Sequence, residues 1–461
     1  MTIFKDDKLK NLTIVYLNFI VATISLIYVI EKNNNIDYAN LFLLPLAYLV
    51  MSLFFLNMII KVIRGRSIVL KIIFVVNWIR YILMPYFMVK FNNYSGYGLD
   101  PNKLSLDKAI FFMIYELIAS MILIYILSKK NSTFKLSNDN QKLEFLKNKS
   151  IVIFGIFSCF ILRRIVFSDG AQVIMNNLID TSIFLLIMSI INKKYLESRV
   201  GFYKVLALIV IFFNMIFSMT TSRWNIIIVI IASLILYKDI FGALSKYLII
   251  AGVLIFMIFF IKISYEKFSW ISVTSDGQLS DLINAMISQI QDYFSGPRTI
   301  AQSIEMKELY SSEISFTTMI NDYLGSVPIV SNFINQHDRI NYYFNWYIFS
   351  VENKTTLIIP MISIGYIYFG AMLSPIFSLF CIWFVIKIEN YVMRKNILEF
   401  KYVFMKILFM LSMYGGFNTQ IIFGNFVSGV LPVYIFLLIN KKVIFKGDKN
   451  KYEIKYNCSN I

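Results

Sequence analysis

The segment LTIVYLNFIVATISLIYVI, Leu12–Ile30, runs nineteen residues without an Asp, Glu, Lys or Arg. At 1.5 Å per residue a helix of that length is roughly 28 Å long, which matches the hydrocarbon core of a bilayer. Lys5, Lys8 and Lys10 precede it, the basic flank that a secretory signal also carries. The run is long for a signal core, and no small-residue cleavage pattern follows it. It reads as an uncleaved first membrane helix.

Eleven further stretches have the same character, at about 39–60, 68–89, 108–127, 150–167, 173–191, 203–219, 224–237, 247–263, 357–386, 402–417 and 420–440. The stretch 224–237 is short. The stretch 357–386 is long and interrupted by Gly365, Gly370 and Pro375, so a kinked or broken span is expected there. The expected fold class is therefore all-α, a polytopic integral membrane protein of about twelve transmembrane helices. Bulk composition agrees. Hydrophobic residues make up 58% of the 461, charged residues 15%, and mean hydropathy is +0.67. A soluble chain carries about 25% charged residues. A string of soluble domains could not cover this much apolar surface, and a disordered chain would not contain it.

The net charge of +17 is distributed rather than clustered. With the N-terminus placed inside and the spans alternating, 30 of the 44 Lys and Arg fall inside and 13 outside, and Arg80 lies within a helix. This is the positive-inside pattern, and it puts both termini in the cytoplasm. It also makes anionic lipid, not nucleic acid, the natural partner of the basic loops. Residues 1–263 hold nine spans, 264–355 one long connection, 356–440 three spans, and 441–461 a basic tail. The long connection falls outside and carries Lys267, Arg298, Lys307, Arg339 and Lys354 against ten acidic residues. It is too apolar for disorder, and connections this long are usually functional. Leu282, Met286, Ile290 and Tyr293 share one helical face, with Ser280 or Asp281 as its N-cap. A second helix starts at Pro297 and runs to about Tyr310, and a third spans Phe316 to Leu324. Tyr342 to Tyr347 read as an aromatic belt at the membrane interface.

Cys159, Cys381 and Cys458 form no pattern, and His337 is the sole histidine, so neither a disulfide framework nor a histidine-rich metal site is indicated. No P-loop, D-x-D, G-x-S-x-G or H-E-x-x-H motif occurs. No metal or other cofactor is expected. The candidate chemistry lies in outward-placed arginines. Arg80 and Glu116 lie at similar depth in neighbouring helices. Arg80 either pairs with Glu116 or lines an outward cavity that meets an anionic ligand. Arg163 and Arg164 close a span on the outside, and either snorkel to headgroups or bind an anion. Arg223 opens a helix, where an anion shared with free N–H groups would explain a cation in an otherwise unfavourable place. Arg298 repeats that arrangement. His337, Asp338 and Arg339 are adjacent, and form either a solvated turn or a base with its orienting carboxylate. Guanidinium groups grip phosphate and carboxylate through paired donors, so a lipid pyrophosphate or an acidic sugar fits such a set.

The chain resembles the bacterial O-antigen and capsule repeat-unit polymerases, the Wzy type. The resemblance rests on the many-helix layout with one large late extracytoplasmic loop, and on Thr221-Ser222-Arg223 at a helix start. It rests also on Tyr293-Phe294-Ser295-Gly296-Pro297, and on Ile358-Ile359-Pro360 followed by Gly365-Tyr366-Ile367-Tyr368-Phe369-Gly370. It covers roughly residues 205–440. It implies a GT-C-like membrane glycosyltransferase of the bacterial cytoplasmic membrane. Such an enzyme moves a growing glycan from undecaprenyl pyrophosphate onto one new lipid-linked repeat unit, with a flippase and a chain-length regulator as partners. On that reading Arg223, with Arg80 or Arg298, holds pyrophosphate, and Arg339, Arg163 and Arg164 complete the cationic set. His337, Asp338 or Asp292 is the base, and Tyr293, Tyr342, Tyr343 and Trp346 shape the sugar groove. A lipid-linked oligosaccharide flippase, an O-antigen-type ligase and a transporter of anionic solutes are the alternatives. The flippase is disfavoured by the long loop and by the absence of internal repeats.

Overall fold

A computed structural model describes residues 3–65, 67–94, 96, 98–130, 152–153, 155–158, 161, 169–218, 223–242, 287–288, 290–350, 357–395 and 397–442. These form helices and turns and contain no β-strand. In chain order the helices are α1 (Ile3–Lys32), α2 (Leu43–Phe54), α3 (Leu56–Arg64), α4 (Ile68–Trp78), α5 (Met84–Lys90) and α6 (Lys103–Lys130). They continue as α7 (Asp169–Ser198), α8 (Phe202–Ser218), α9 (Arg223–Phe241), α10 (Pro297–Leu309), α11 (Phe316–Ser326) and α12 (Ile340–Phe349). The last five are α13 (Met361–Phe369), α14 (Ile376–Lys395), α15 (Leu398–Ser412), α16 (Thr419–Asn425) and α17 (Leu431–Lys442).

Among the described residues six helical stretches are long and apolar enough to cross a membrane: Thr13–Lys32, Ile68–Lys90, Lys103–Ser128, Ala171–Ser198, Ile376–Arg394 and Thr419–Asn440. The protein is thus membrane-embedded and all-helical. Three of the expected spans take a different form. The stretch at 39–60 is a bent pair, α2 and α3, turning 82° at Phe55. The stretch at 357–386 is broken into α13 and α14, with Gly370 at φ +78° closing α13 before Pro375. A left-handed glycine followed by proline stops a helix, because one leaves helical φ and the other has no N–H to continue the ladder. The expected span at 402–417 is the fifteen-residue α15, shorter than a bilayer requires. Spans 203–219 and 224–237 correspond to α8 and α9. Span 247–263 lies outside the described residues, as does most of 150–167.

Two of the spans change pitch on the way. Ile79–Leu83 and Phe426–Val430 are π-helical, and each ends two residues before a proline, Pro85 and Pro432. A mid-helix proline cannot donate to the carbonyl four residues back, and its ring crowds that carbonyl. The carbonyls concerned, of Tyr81 and Ser428, both lie inside the wide turns. Widening relieves the crowding.

Polar contacts sort the helix ends onto two faces. On one, Tyr94 donates to Asn33 Oδ1 at 2.8 Å. There Asn102 N donates to Glu305 at 2.8 Å, and Lys108 pairs with Glu308 at 3.1 Å. On the opposite face Glu389 of α14 accepts from Ser67 Oγ at 2.5 Å and from Ile68 N at 2.9 Å, capping α4, and Lys401 pairs with Asp239. The segment 297–349 therefore packs on the ends at 94–108 and 419, and 33–38 joins the same face through Tyr94, the set that alternating spans place together.

Between the faces lies a buried charge pair. Arg80 Nη1 meets Glu116 Oε2 at 2.7 Å, and each side chain is 1% exposed. Ser378 of α14 donates to Glu116 Oε1, and Arg80 Nη2 reaches the Ser295 carbonyl at 3.4 Å. Removing one member leaves an uncompensated charge in hydrocarbon. Glu116→Gln or Arg80→Met alone is expected to lower stability by about 3–5 kcal/mol, and the double substitution to recover most of it. Equilibrium unfolding in mixed micelles measures both.

Candidate functional site

α11 begins with a capping box. Ser315 accepts from Thr318 N, and Thr318 Oγ1 accepts from Ser315 N at 3.2 Å. This fixes the helix start and turns Thr318, Asp322 and Gly325 inward, where all three are buried. α16 is capped by Asn418, whose side chain accepts from Ile421 N at 2.8 Å. The two helices approach closely because residue 424 is glycine; a Cβ there would collide with the Ser326 carbonyl oxygen. Tyr323 also donates to Thr419 Oγ1 at 2.7 Å.

Between α11, the start of α12 and α16 lies a cavity of about 270 Å³. Its polar lining comprises Asp322, Ser326, Arg339, Asn341, Asn418, Gln420, Asn425 and Ser428. Four carboxamides meet one carboxyl and one guanidinium. Gln420 is 5% exposed, and neither its Oε1 nor its Nε2 has a hydrogen-bond partner among the described residues. Asn341 Oδ1 is likewise without one. Buried amides are normally satisfied, so unfilled ones facing a cavity leave room for a polar occupant. The π-helical turn supplies Ser428, and such turns recur at functional sites.

Asp322 is the titratable centre of this cavity. It is 1% exposed; its Oδ1 accepts from Ile340 N at 3.1 Å and its Oδ2 from the Tyr368 hydroxyl at 3.1 Å. Arg339 Nε lies 3.9 Å away. Burial pushes its carboxyl up to about 7 from the ordinary carboxylate range. The Tyr368 hydroxyl, Arg339 and the N–H groups at the start of α12 pull the other way and only partly offset it. A carboxyl that changes charge near neutral pH beside unfilled hydrogen-bonding groups is equipped to accept a proton from a bound hydroxyl.

Of the residues singled out from sequence, Arg339 lines this cavity. His337 and Asp338 lie just before it on an exposed 3₁₀ turn, with the His337 ring edge-on to Tyr342 at 4.3 Å. Tyr342 and Trp346 stack one helical turn apart on α12, with centroids 6.2 Å apart, and Tyr343 meets Tyr310 at 5.3 Å. They form a half-buried aromatic shelf on the helix whose first residues line the cavity. Asp292 and Tyr293 lie in a helical stretch ahead of Pro297 and do not line it.

The other arginines do different work. Arg80 is held by Glu116, the pairing that depth alone suggested. Arg298, 2% exposed, clamps the 91–102 connection, pairing with Asp100 at 2.7 Å and donating to the carbonyl of Gly98 at 2.9 Å. Arg223 opens α9, but its side chain, like Arg163 and Arg164, lies outside the described residues. The sequence reading passed over Asp322, Asn418 and Gln420. The available signal for Asp322 was its position on the inner side of a helix otherwise free of charge.

Asp322 is protonated up to about pH 7 in the fold but only to about pH 4 when unfolded. Its contribution to stability is complete below pH 4 and is lost as pH rises through 7. Wild-type stability is therefore expected to fall relative to Asp322→Asn, by at most roughly 4 kcal/mol between pH 4 and 8, in paired unfolding titrations.

No protein-family model, curated protein or solved structure matches the chain.

Proposed function

We propose that this protein joins lipid-pyrophosphate-linked oligosaccharide repeat units at the outer face of a bacterial cytoplasmic membrane, as a metal-independent polymerase of the Wzy type. The observation that carries the reading is the amide-rich cavity around Asp322 and Arg339, with Gln420 and Asn341 atoms unpartnered among the described residues, built where the 297–349 segment meets the ends of the spans. Sugars present rows of hydroxyls, and Asn, Gln and a carboxyl are the side chains that pair with them as both donors and acceptors. A cavity of about 270 Å³ lies near the lower end for ligand sites and suits one sugar residue rather than a whole repeat unit.

The chemistry follows from those groups. The acceptor hydroxyl oxygen attacks the anomeric carbon of the donor glycan. The bond from that carbon to the pyrophosphate oxygen breaks, and the electron pair leaves with the lipid pyrophosphate. The hydroxyl proton passes to the Asp322 carboxylate. Arg339, a quarter exposed at the cavity, faces the departing anion. The shelf of Tyr342 and Trp346 lies along the path of the remaining sugars. With both termini cytoplasmic, as the basic loops indicate, the cavity opens on the translocated side.

Purified protein in vesicles, given a defined undecaprenyl-pyrophosphate-linked repeat unit, is expected to make a ladder of longer glycans. Asp322→Asn should slow it by about 10²–10⁴-fold, the usual range for a lost general base. The wild-type rate should rise with pH and level off above about 7. His337→Ala should leave the ladder intact. Lipid crossing the bilayer without a ladder would replace the polymerase with a flippase, and transfer to a different acceptor would make it a ligase.

A further inference from the structure

A helix on a water-soluble surface turns its apolar side in and its polar side out. α11 does the reverse. At about 100° per residue, Thr318, Asp322 and Gly325 share one side, and that side is buried. About half a turn away Phe316, Ile320 and Leu324 form the outer side, 63%, 44% and 40% exposed. The helix contains no Lys, Arg or Glu, and its single acid faces inward. In water this arrangement would expose three large apolar side chains and bury Thr318 and the acid Asp322, with only the small Thr317 exposed among the polar residues.

The apolar side is not isolated. Tyr323 packs edge-on against Phe423 at 5.9 Å, and Phe423 is itself 40% exposed on the membrane-crossing stretch Thr419–Asn440. The outer side of α11 therefore continues the surface that the last span presents to lipid. Beyond it Ile329 and Phe333 are 46% and 84% exposed. Immediately behind α11 lies the cavity, so a single helix separates unfilled amides from this apolar surface.

We infer that α11 is embedded by its outer side in bilayer hydrocarbon, and that the cavity behind it takes the polar head of a lipid-anchored molecule whose chain lies along Phe316, Ile320, Leu324 and Phe423. Part of the long 264–355 connection is then a membrane element rather than an aqueous loop. The inference draws on the proposed function only for the cavity; the same arrangement serves any protein that handles a lipid-linked head group.

Nitroxide labels at Phe316→Cys, Ile320→Cys and Leu324→Cys, one at a time, test it. Cys159 and Cys458 are replaced by Ser, and Cys381, 1% exposed, is retained. In vesicles all three labels should be relaxed by oxygen and shielded from a water-soluble nickel complex. Adding undecaprenyl pyrophosphate should slow motion at position 324, isopentenyl pyrophosphate should not, and Gln420→Ala should abolish the effect. Relaxation by nickel at these positions would overturn the inference, because the side would then face water. Shielding from both agents would also overturn it, in favour of a protein partner or a second copy. An equal response to the short-chain probe would show a water-borne ligand. None of these readings requires turnover. A protein that makes no glycan ladder yet passes them retains the lipid-facing helix and loses only the polymerase.

Discussion

The Arg80–Glu116 pair is the contact on which the rest of the fold hangs. A lone charge in hydrocarbon is expensive, so both ions must find each other and use their remaining hydrogen-bonding capacity. Doing so joins four elements distant in sequence. Arg80 comes from the π-helical turn between α4 and α5, Glu116 from α6, Ser378 from α14, and the Ser295 carbonyl from the approach to α10. The last contact matters most for the cavity. It fixes the start of the 297–349 segment against the bundle, and that segment supplies Asp322 and Arg339. Arg298 then fastens the same segment to the 91–102 connection through Asp100 and the Gly98 carbonyl.

The two prolines show how a local steric rule places chemistry. Pro85 and Pro432 each force the preceding turn open, and each open turn carries a polar side chain into the protein interior, Arg80 in one and Ser428 in the other. A regular helix with the same sequence would rotate those residues away, since one extra residue in a turn shifts everything beyond it by about 100°. The Met84-Pro85 and Leu431-Pro432 pairs are thus direction-setting elements within otherwise uniform apolar runs.

The membrane-embedded, all-helical class was legible from Leu12–Ile30 and its successors, because length without charge is a sufficient signal for a spanning helix. Pro297 gave the start of α10, and the expected Phe316–Leu324 helix came within two residues of the end of α11, since cap and breaker residues act locally. The 82° turn at Phe55 was not legible. No glycine or proline lies at that point; the bend arises where α2 packs on α1, α6 and the Ile79–Leu83 turn while α3 packs on α1 and α4. The break between α13 and α14 could be anticipated as either kink or interruption, and a left-handed Gly370 decides for interruption.

The cavity was the least legible part, for a physical reason. A search for function in an apolar sequence is drawn to charge, above all to arginine, because a buried charge is costly and demands explanation. Yet that cost also forces such residues to find an opposite charge within the fold, as Arg80 does in Glu116 and Arg298 in Asp100. The hydrogen-bonding capacity left for a ligand then resides in groups cheaper to leave unpaired. Carboxamides are such groups, and Gln420 and Asn341 hold theirs open toward the cavity. Asn is common in this chain and an isolated Gln is unremarkable, so neither marks anything by itself. Only the close passage of α11 over Gly424 brings Asn418, Gln420 and Asn425 to face Asp322, so the site is a property of the packing rather than of any contiguous motif.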